Sequence, residues 1–283
     1  MKNILIIPNT QKDRDFSVST RVASVLSSYG LSVFVEERYG TDLDGIAAVM
    51  PKIDESIELI VVIGGDGSVI DASVPAVSFG VPVLGINLGH LGYLAEVEVG
   101  NLSILEKLTT GEYVIEDKML LSVTATEEGE LIQSARFAVN DVIISHESYV
   151  GLAELRMRVN DGGSVKYRAD GLILSTPVGS TAYSLSAGGP IIAHDIDSIV
   201  ATPICPHSFF NRSVIFNPKD VLTLYNQGDN TLNVTVDGRF FTKLSPGGQC
   251  FVRMSDKKFR MLTFNENNMF ATLFGKMKKI ENI

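Results

Sequence analysis

Tryptophan is absent from this 283-residue chain, histidine occurs four times and cysteine only twice. Each scarcity removes a class of function. Cys205 and Cys250 lie far apart, outside any Cys-x-x-Cys or Cys/His cluster, so they offer no thiolate metal site, and a disulfide between them is the alternative to two free thiols. They are expected to be small buried apolar residues in a reducing cytoplasm. Long hydrophobic runs are also missing: stretches such as Ile57 to Ile63 are broken by charge or stop at glycine, well short of the roughly eighteen residues of a membrane span. The start, MKNILIIPN, reads as a strand rather than an export signal. Positive charge is in deficit, with 24 Lys and Arg against 33 Asp and Glu and a net charge of −9, which argues against nucleic acid as a partner. An acidic chain that binds a polyphosphate must neutralise it locally, with backbone N–H groups, a few placed cations or a divalent ion.

What is present is enough apolar residue, 45% of the chain, for one large domain or two ordinary ones. The first third alternates strand and helix signals. Asn3 to Pro8 reads as a buried strand, Ser17 to Tyr29 as a helix with Val18, Val22, Val25 and Tyr29 on one face, and Leu31 to Val35 as a second strand. Leu43 to Ser56 reads as a broken helix. Leu59 to Ile63 and Val81 to Ile86 are strands with almost no polar residue, the mark of a parallel sheet covered on both faces. From about Leu120 the rhythm changes to short strands punctuated by turns, Asn160-Asp161-Gly162-Gly163 being the strongest hairpin signal. Two late strands are expected at Gln249 to Met254 and Phe259 to Leu262, then a helix from Asn268 to Lys279 with one apolar face. The expected organisation is an open α/β domain over 1–115, a β-rich, sandwich-like domain over 116–264 and a docking helix over 265–283. The chain contains no internal repeat, no low-complexity run and no clear linker.

Two motifs carry the chemistry. ELIVVIGGDGSV delivers a buried strand into Gly64-Gly65-Asp66-Gly67, where α/β sheets place ligands; the glycines are read as permitting positive φ angles and exposing N–H groups to phosphate. No Lys follows at the Walker spacing, and Ile70 stands where a dinucleotide fingerprint has its third glycine. Taken alone, Asp66 is as readily a turn or capping residue as a catalyst. Far downstream, TPVGSTAYSLSAGGPII (Thr176 to Ile192) joins a hydroxyl-dense loop to small residues that admit close backbone approach.

Together these motifs resemble the NAD kinase family, which phosphorylates the adenosine 2′-hydroxyl of NAD. The Gly-Gly-Asp-Gly loop also occurs in diacylglycerol and sphingosine kinases, and the order of the remaining motifs selects among them. Asn87 to Leu94 (NLGHLGYL) resembles the family loop in which Tyr93 would meet the adenine, with His90 a weaker candidate. Asn140-Asp141 stands where the family has Asn-Glu, one methylene longer. Tyr167-Arg168-Ala169-Asp170-Gly171 leads into the hydroxyl loop, where Thr181, Ala182, Tyr183 and Ser186 match the family's NAD-binding segment. Thr202 to Ser208 retains its Pro-His-Ser, and Val236-Asp237-Gly238-Arg239 resembles its late Asp-Gly turn, which also makes hairpins unaided.

The resemblance implies a nucleotide domain followed by a β-rich domain, with NAD bound between them. Asp66 would be the general base, and Gly64, Gly65 and Gly67 would form the ATP phosphate loop. Gly67, Tyr93, Asn140, Asp141, Arg168, Asp170, Thr181, Ala182, Tyr183, Ser186 and Arg239 would contact NAD. No protein metal cluster is read; a divalent cation, Mg²⁺, would bridge the ATP phosphates. A homo-oligomer, dimer or tetramer, follows from the resemblance alone. The rivals are a lipid kinase, for which no basic amphipathic stretch speaks, and a dinucleotide sensor, in which Asn would serve as well as Asp66. Asp66→Asn is expected to leave folding and NAD affinity nearly intact while largely abolishing NADP formation.

Overall fold

The computed structural model describes residues 1–89, 92–147, 151–207 and 211–264. The expected helix over Asn268 to Lys279, and His90, lie outside them. The chain divides into two compact units, one of Met1–Asp117 with the segment that begins at Phe259, the other of Lys118–Lys258.

The first unit contains β1 (Asn3–Pro8), α1 (Ser17–Ser28), β2 (Ser32–Glu36), β3 (Ala48–Met50), β4 (Leu59–Gly64), α2 (Asp66–Phe79), β5 (Val83–Asn87), β6 (Ala95–Glu98) and α3 (Lys107–Thr110). Its strands pair in parallel in the order β3-β2-β1-β4-β5, with β6 also against β5. β4, LIVVIG, is buried along its whole length, as a central parallel strand must be. After β1 the chain steps to one side, to β2 and β3, and then returns to the other side of β1 as β4. The order therefore reverses between β1 and β4, and the loops leaving those two strands diverge at their carboxyl ends, where open α/β sheets take ligands. The core gathers Ile4, Ile6, Val22, Leu26, Val33, Val61, Ile63, Leu84, Ile86 and Leu105.

The second unit takes in most of β7 (Val114–Glu127), followed by β8 (Glu130–Ala138), β9 (Asp141–His146), β10 (Ala153–Val159), β11 (Ser164–Ala169), β12 (Gly171–Ser175), α4 (Tyr183–Ser186), β13 (Ile199–Ile204), β14 (Val214–Phe216), β15 (Leu222–Asn226), β16 (Leu232–Val236), β17 (Arg239–Leu244) and β18 (Gln249–Thr263), which ends in the first unit. One antiparallel sheet runs β14-β13-β12-β9-β16-β17, and a second ladder runs β11-β10-β15-β18. Leu172, Leu174, Val142 and Ile144 of the one share a single core with Leu155, Met157, Leu224, Cys250 and Val252 of the other, which is sandwich packing. β10 alternates accordingly, with Ala153, Leu155 and Met157 inward and Glu154, Arg156 and Arg158 outward.

Several expectations change. Leu43 to Ser56 is not a helix: Leu43, Asp44 and Gly45 take φ of 53°, 58° and 75°, a left-handed run that no right-handed helix contains, and Ala48–Met50 pairs with β2 instead. The buried stripe of α1 is Ser19, Val22, Ala23 and Leu26, rotated from the expected face, because buried Asp13 accepts from the Val18 and Ser19 N–H groups and the Ser19 hydroxyl and anchors that side of the first turn. The two late strands are one strand, β18, of 15 residues. Cys205 is exposed, whereas Cys250 is buried, and both are free thiols. Among the described residues no helix is long and apolar enough to cross a membrane.

Candidate active site

In the first unit the loops after β1, β4 and β5 are tied to one another by short polar contacts. Leu88 N–H donates to the Gly64 carbonyl at 2.9 Å, joining the ends of β4 and β5. Asn9, just past β1, accepts from Gln11 and Lys12 N–H through Oδ1, each at 3.0 Å, and its Nδ2 donates to Ser68 Oγ in the first turn of α2 at 2.8 Å. None of Gly64, Gly65 and Gly67 has a positive φ, which corrects the reading of left-handed glycines. Gly64 is glycine for space: a Cβ there would lie 2.6 Å from Ser68 Cβ and press on its hydroxyl. Gly65 is extended and forms the N-cap of α2, with its carbonyl accepting from Ser68 and Val69 N–H. Gly67 meets no such obstacle.

Asp66 opens α2 and reaches across to the loop before β6. Its Oδ2 accepts from Tyr93 N–H at 2.8 Å, and its Oδ1 from Leu94 and Ala95 N–H at 3.0 and 3.1 Å. A carboxylate offers about four acceptor positions. Among the described residues three are occupied, and Oδ2 keeps one for a further donor. Gly92 makes this contact possible, since a Cβ there would collide with the Asp66 carboxylate, 3.0 Å from its carbon. Tyr93 is half-buried beside Asp66, and desolvation, then the Asp66 charge, push its phenol up from the ordinary value.

The second unit builds around another carboxylate. Asp237 (φ 49°) and Gly238 (φ 73°) form the two-residue turn between β16 and β17, the geometry that Asp-Gly favours. Its side chain accepts from Val139 N–H at 2.8 Å, Asn140 N–H at 2.8 Å and Asp141 N–H at 3.1 Å, so the turn also shapes the backbone of Asn140-Asp141. On the other side, Thr176 N–H donates to the Asn140 carbonyl at 2.9 Å and Thr176 Oγ1 to the Val139 carbonyl at 2.5 Å. Gly179 lets this loop close, because a Cβ there would sit 2.7 Å from Asn140 Cα and run into its carbonyl. Asp141 is 4% exposed. Burial, then the nearby Asp237 charge, raise its carboxyl to about 7. Asp237 is also raised by burial, against the pull of its three N–H donors.

The hydroxyl loop divides its labour. Ser180 Oγ donates to the Pro177 carbonyl and accepts from Ile192 N–H, and Ser184 Oγ bonds Thr202 Oγ1, so these buried hydroxyls hold the loop together. Thr181 and Ala182 are partly exposed, and Tyr183 and Ser186 lie at the surface. Leu185 and Gly188 of the same loop are exposed as well, and the Thr181 hydroxyl donates to the Val178 carbonyl at 3.0 Å. Arg168 and Asp170 do not pair with each other. Arg168 Nε lies 3.2 Å from Glu154 Oε1 across the β10–β11 ladder, and Asp170 Oδ1 lies 3.8 Å from His146 Nε2. Arg239 is exposed at the start of β17. Asn9, Lys12, Asp13 and His146 were not singled out from the sequence. An Asp shortly before a helix start is a signal that would have pointed to Asp13; the other three carry none.

Comparison with known proteins accounts for both motif sets. Residues 4–113 match the model of the ATP-NAD kinase N-terminal domain, and residues 139–264 that of the ATP-NAD kinase C-terminal domain. The chain is 35% identical over 283 residues to the NAD kinase of Caldanaerobacter subterraneus subsp. tengcongensis, covering 98% of this chain and 99% of that one. It is 35% identical over 282 residues to the NAD kinase of Natranaerobius thermophilus, covering 98% of each. Among solved structures, a yeast NADH kinase complexed with NADH superposes with a TM-score of 0.83 at 22% identity, over 96% of this chain and 85% of that one. An NAD kinase from Archaeoglobus fulgidus in complex with ATP gives 0.71 at 21%, over 98% and 99%. At these identities the two structures speak for the fold.

Proposed function

The chain belongs to the ATP-NAD kinase family, and from that premise we propose that Asp66 accepts the proton of the adenosine ribose 2′-hydroxyl as that oxygen attacks the γ-phosphorus of ATP. The reaction is ATP-dependent phosphorylation of NAD, giving NADP and ADP. An alcohol is a poor nucleophile at neutral pH, and it must shed its proton as it bonds to phosphorus. The observation that carries the assignment is the open acceptor position on Asp66 Oδ2, on a carboxylate that three backbone N–H groups hold in a fixed orientation.

Gly64, Gly65 and Gly67 form the donor phosphate loop, and the N-terminus of α2 supplies the partial positive charge there. The residues assigned to NAD are Gly67, Tyr93, Asn140, Asp141, Arg168, Asp170, Thr181, Ala182, Tyr183, Ser186 and Arg239. Asp141 presents its carboxyl where the longer Glu is usual, and the Asp237 clamp fixes the backbone from which it projects. Among the described residues no group of three or more His, Cys, Asp or Glu is placed to hold a metal. A Mg²⁺ ion would arrive on the triphosphate with most of its waters, neutralising phosphate charge and needing one or two protein oxygens at most. Assembly into a dimer or tetramer, and residence in the cytoplasm, complete the proposal.

The test is NADP⁺ formation by the purified protein with NAD⁺, Mg²⁺ and ATP, beside Asp66→Asn and a diacylglycerol acceptor. NADP⁺ from the wild type, with the variant nearly inert, is the expected result. Binding of NAD⁺ without turnover would make the chain a sensor, and phosphorylation of the lipid would make it a lipid kinase.

A further inference from the structure

We propose that Lys12 is the side chain that binds the terminal phosphates of ATP and neutralises the charge that builds on the departing ADP. The inference rests on the kinase reading and adds the side-chain cation which that reading lacks. In the transfer the 2′-oxygen forms a bond to the γ-phosphorus and its proton passes to Asp66. The bond from that phosphorus to the β–γ bridging oxygen breaks, and its electron pair stays on ADP. Charge is thus displaced towards the leaving oxygen, which a fixed cation stabilises more in the transition state than in the ground state. This chain, with its net charge of −9, has no Walker lysine to do so.

Four observations place Lys12 in that role. Its ammonium stands at the carboxyl ends of the parallel strands, between the loops that follow β4 and β5: Nζ is 3.6 Å from where a Cβ on Gly65 would lie and 3.8 Å from the same position on Gly89. Glycine at both places leaves the charge uncovered on those sides. The loop that carries Lys12 leaves β1, so it flanks the point at which the strand order reverses, the general ligand crevice of open α/β sheets. Its backbone is also fixed in place, because Lys12 N–H donates to Asn9 Oδ1 at 3.0 Å while Asn9 Nδ2 holds Ser68 Oγ of α2 at 2.8 Å. Finally, Lys12 has no ion-pair partner among the described residues, whereas Lys243 is paired with Glu147 and Lys258 with Asp197. An exposed lysine aimed over two glycine loops in an acidic protein is poised for an anion.

Lys12→Met, which keeps the stem and removes the charge, and Lys12→Arg, which keeps the charge, test the assignment. ATP, ADP and AMP binding are measured by calorimetry on wild type and both variants, with kcat and KM for ATP alongside. Lys12→Met should bind ATP about ten- to hundredfold more weakly, as expected for loss of a charge-assisted hydrogen bond. It should also show a lower kcat, with AMP and NAD affinity unchanged, and Lys12→Arg should recover most of the loss. ATP affinity and kcat indistinguishable from wild type, or an equal loss for ATP and AMP, would overturn the proposal. Calorimetry does not depend on turnover, so a wild-type protein that binds ATP through Lys12 yet makes no NADP would sink the kinase reading and the leaving-group role with it, while the phosphate-binding role of Lys12 would stand.

Discussion

Replacing Asp66 by Asn perturbs more than a proton acceptor. An Asn side chain can keep its one oxygen on Leu94 and Ala95 N–H, the pair that Oδ1 now accepts. Its amide nitrogen then faces Tyr93 N–H, where Oδ2 now accepts at 2.8 Å, and donor meets donor. Leaving one such part-buried N–H unsatisfied costs about 1–3 kcal/mol, and its partial exposure argues for the lower half of that range. The expectation drawn from sequence, that folding would be nearly untouched, is therefore revised: the variant should melt a few degrees below wild type. Loss of the base should lower kcat by about 10²–10⁴. Asp66→Glu separates the two effects, because it keeps a carboxylate yet moves it one methylene away from the Tyr93–Ala95 backbone. The assay is NADP⁺ formation at saturating NAD⁺ and MgATP, with thermal unfolding followed in parallel. An Asn variant with kcat within about tenfold of wild type, less than the range general-base assistance supplies, would refute Asp66 as the base. An unchanged melting temperature would refute the donor clash.

The other expectations concern the second unit. Asp141 has a raised carboxyl in the folded chain, so the native state holds its proton from roughly pH 4 to pH 7 where the unfolded chain has lost it; stability falls as pH rises through that window. Asp141→Asn should thus be more stable than wild type above pH 7, by on the order of 1–4 kcal/mol, and no different near pH 4; denaturant titrations at the two pH values check this, and parallel curves would contradict it. Gly179→Ala forces a methyl into the Asn140 backbone, which has no room to yield, and should cost about 1–3 kcal/mol and weaken NAD binding; a variant with wild-type stability would show that the two loops separate freely. Tyr183→Ala removes a ring that is 46% exposed, so it should leave the melting temperature alone and weaken NAD binding by about tenfold, the loss of one stacking contact; a shift in stability without one in affinity would make Tyr183 structural.

Much of this was readable in the sequence because its signals are local. LIVVIG can only be a strand buried on both faces, and the glycines after it announce a loop at its carboxyl end. The hydroxyl loop was legible as a whole, but not its division into Ser180, Thr181 and Ser184, whose hydroxyls hold the loop, and Tyr183 and Ser186, which lie at the surface. That division depends on the carbonyls and hydroxyls of distant strands. Asn9 and Lys12 gave no signal alone, since their roles come from α2 and from Gly65 and Gly89, which sequence distance conceals. The Leu43 to Ser56 segment failed for a different reason. Its apolar spacing suits a helix, and only the left-handed angles of Leu43, Asp44 and Gly45, set by tertiary packing, rule one out.

The Asp237 clamp bears on the order in which a newly made chain becomes competent. The three N–H groups it holds lie 98, 97 and 96 residues earlier in the sequence. While the chain is still emerging from the ribosome, Asp141 can join β9 with Asn140 just before it, yet their backbone lacks the three bonds to Asp237, which has not been synthesised. The clamped shape of the Asn140-Asp141 backbone therefore arrives late, when the β16–β17 hairpin closes, and a nascent chain halted before Asp237 would carry both residues without it.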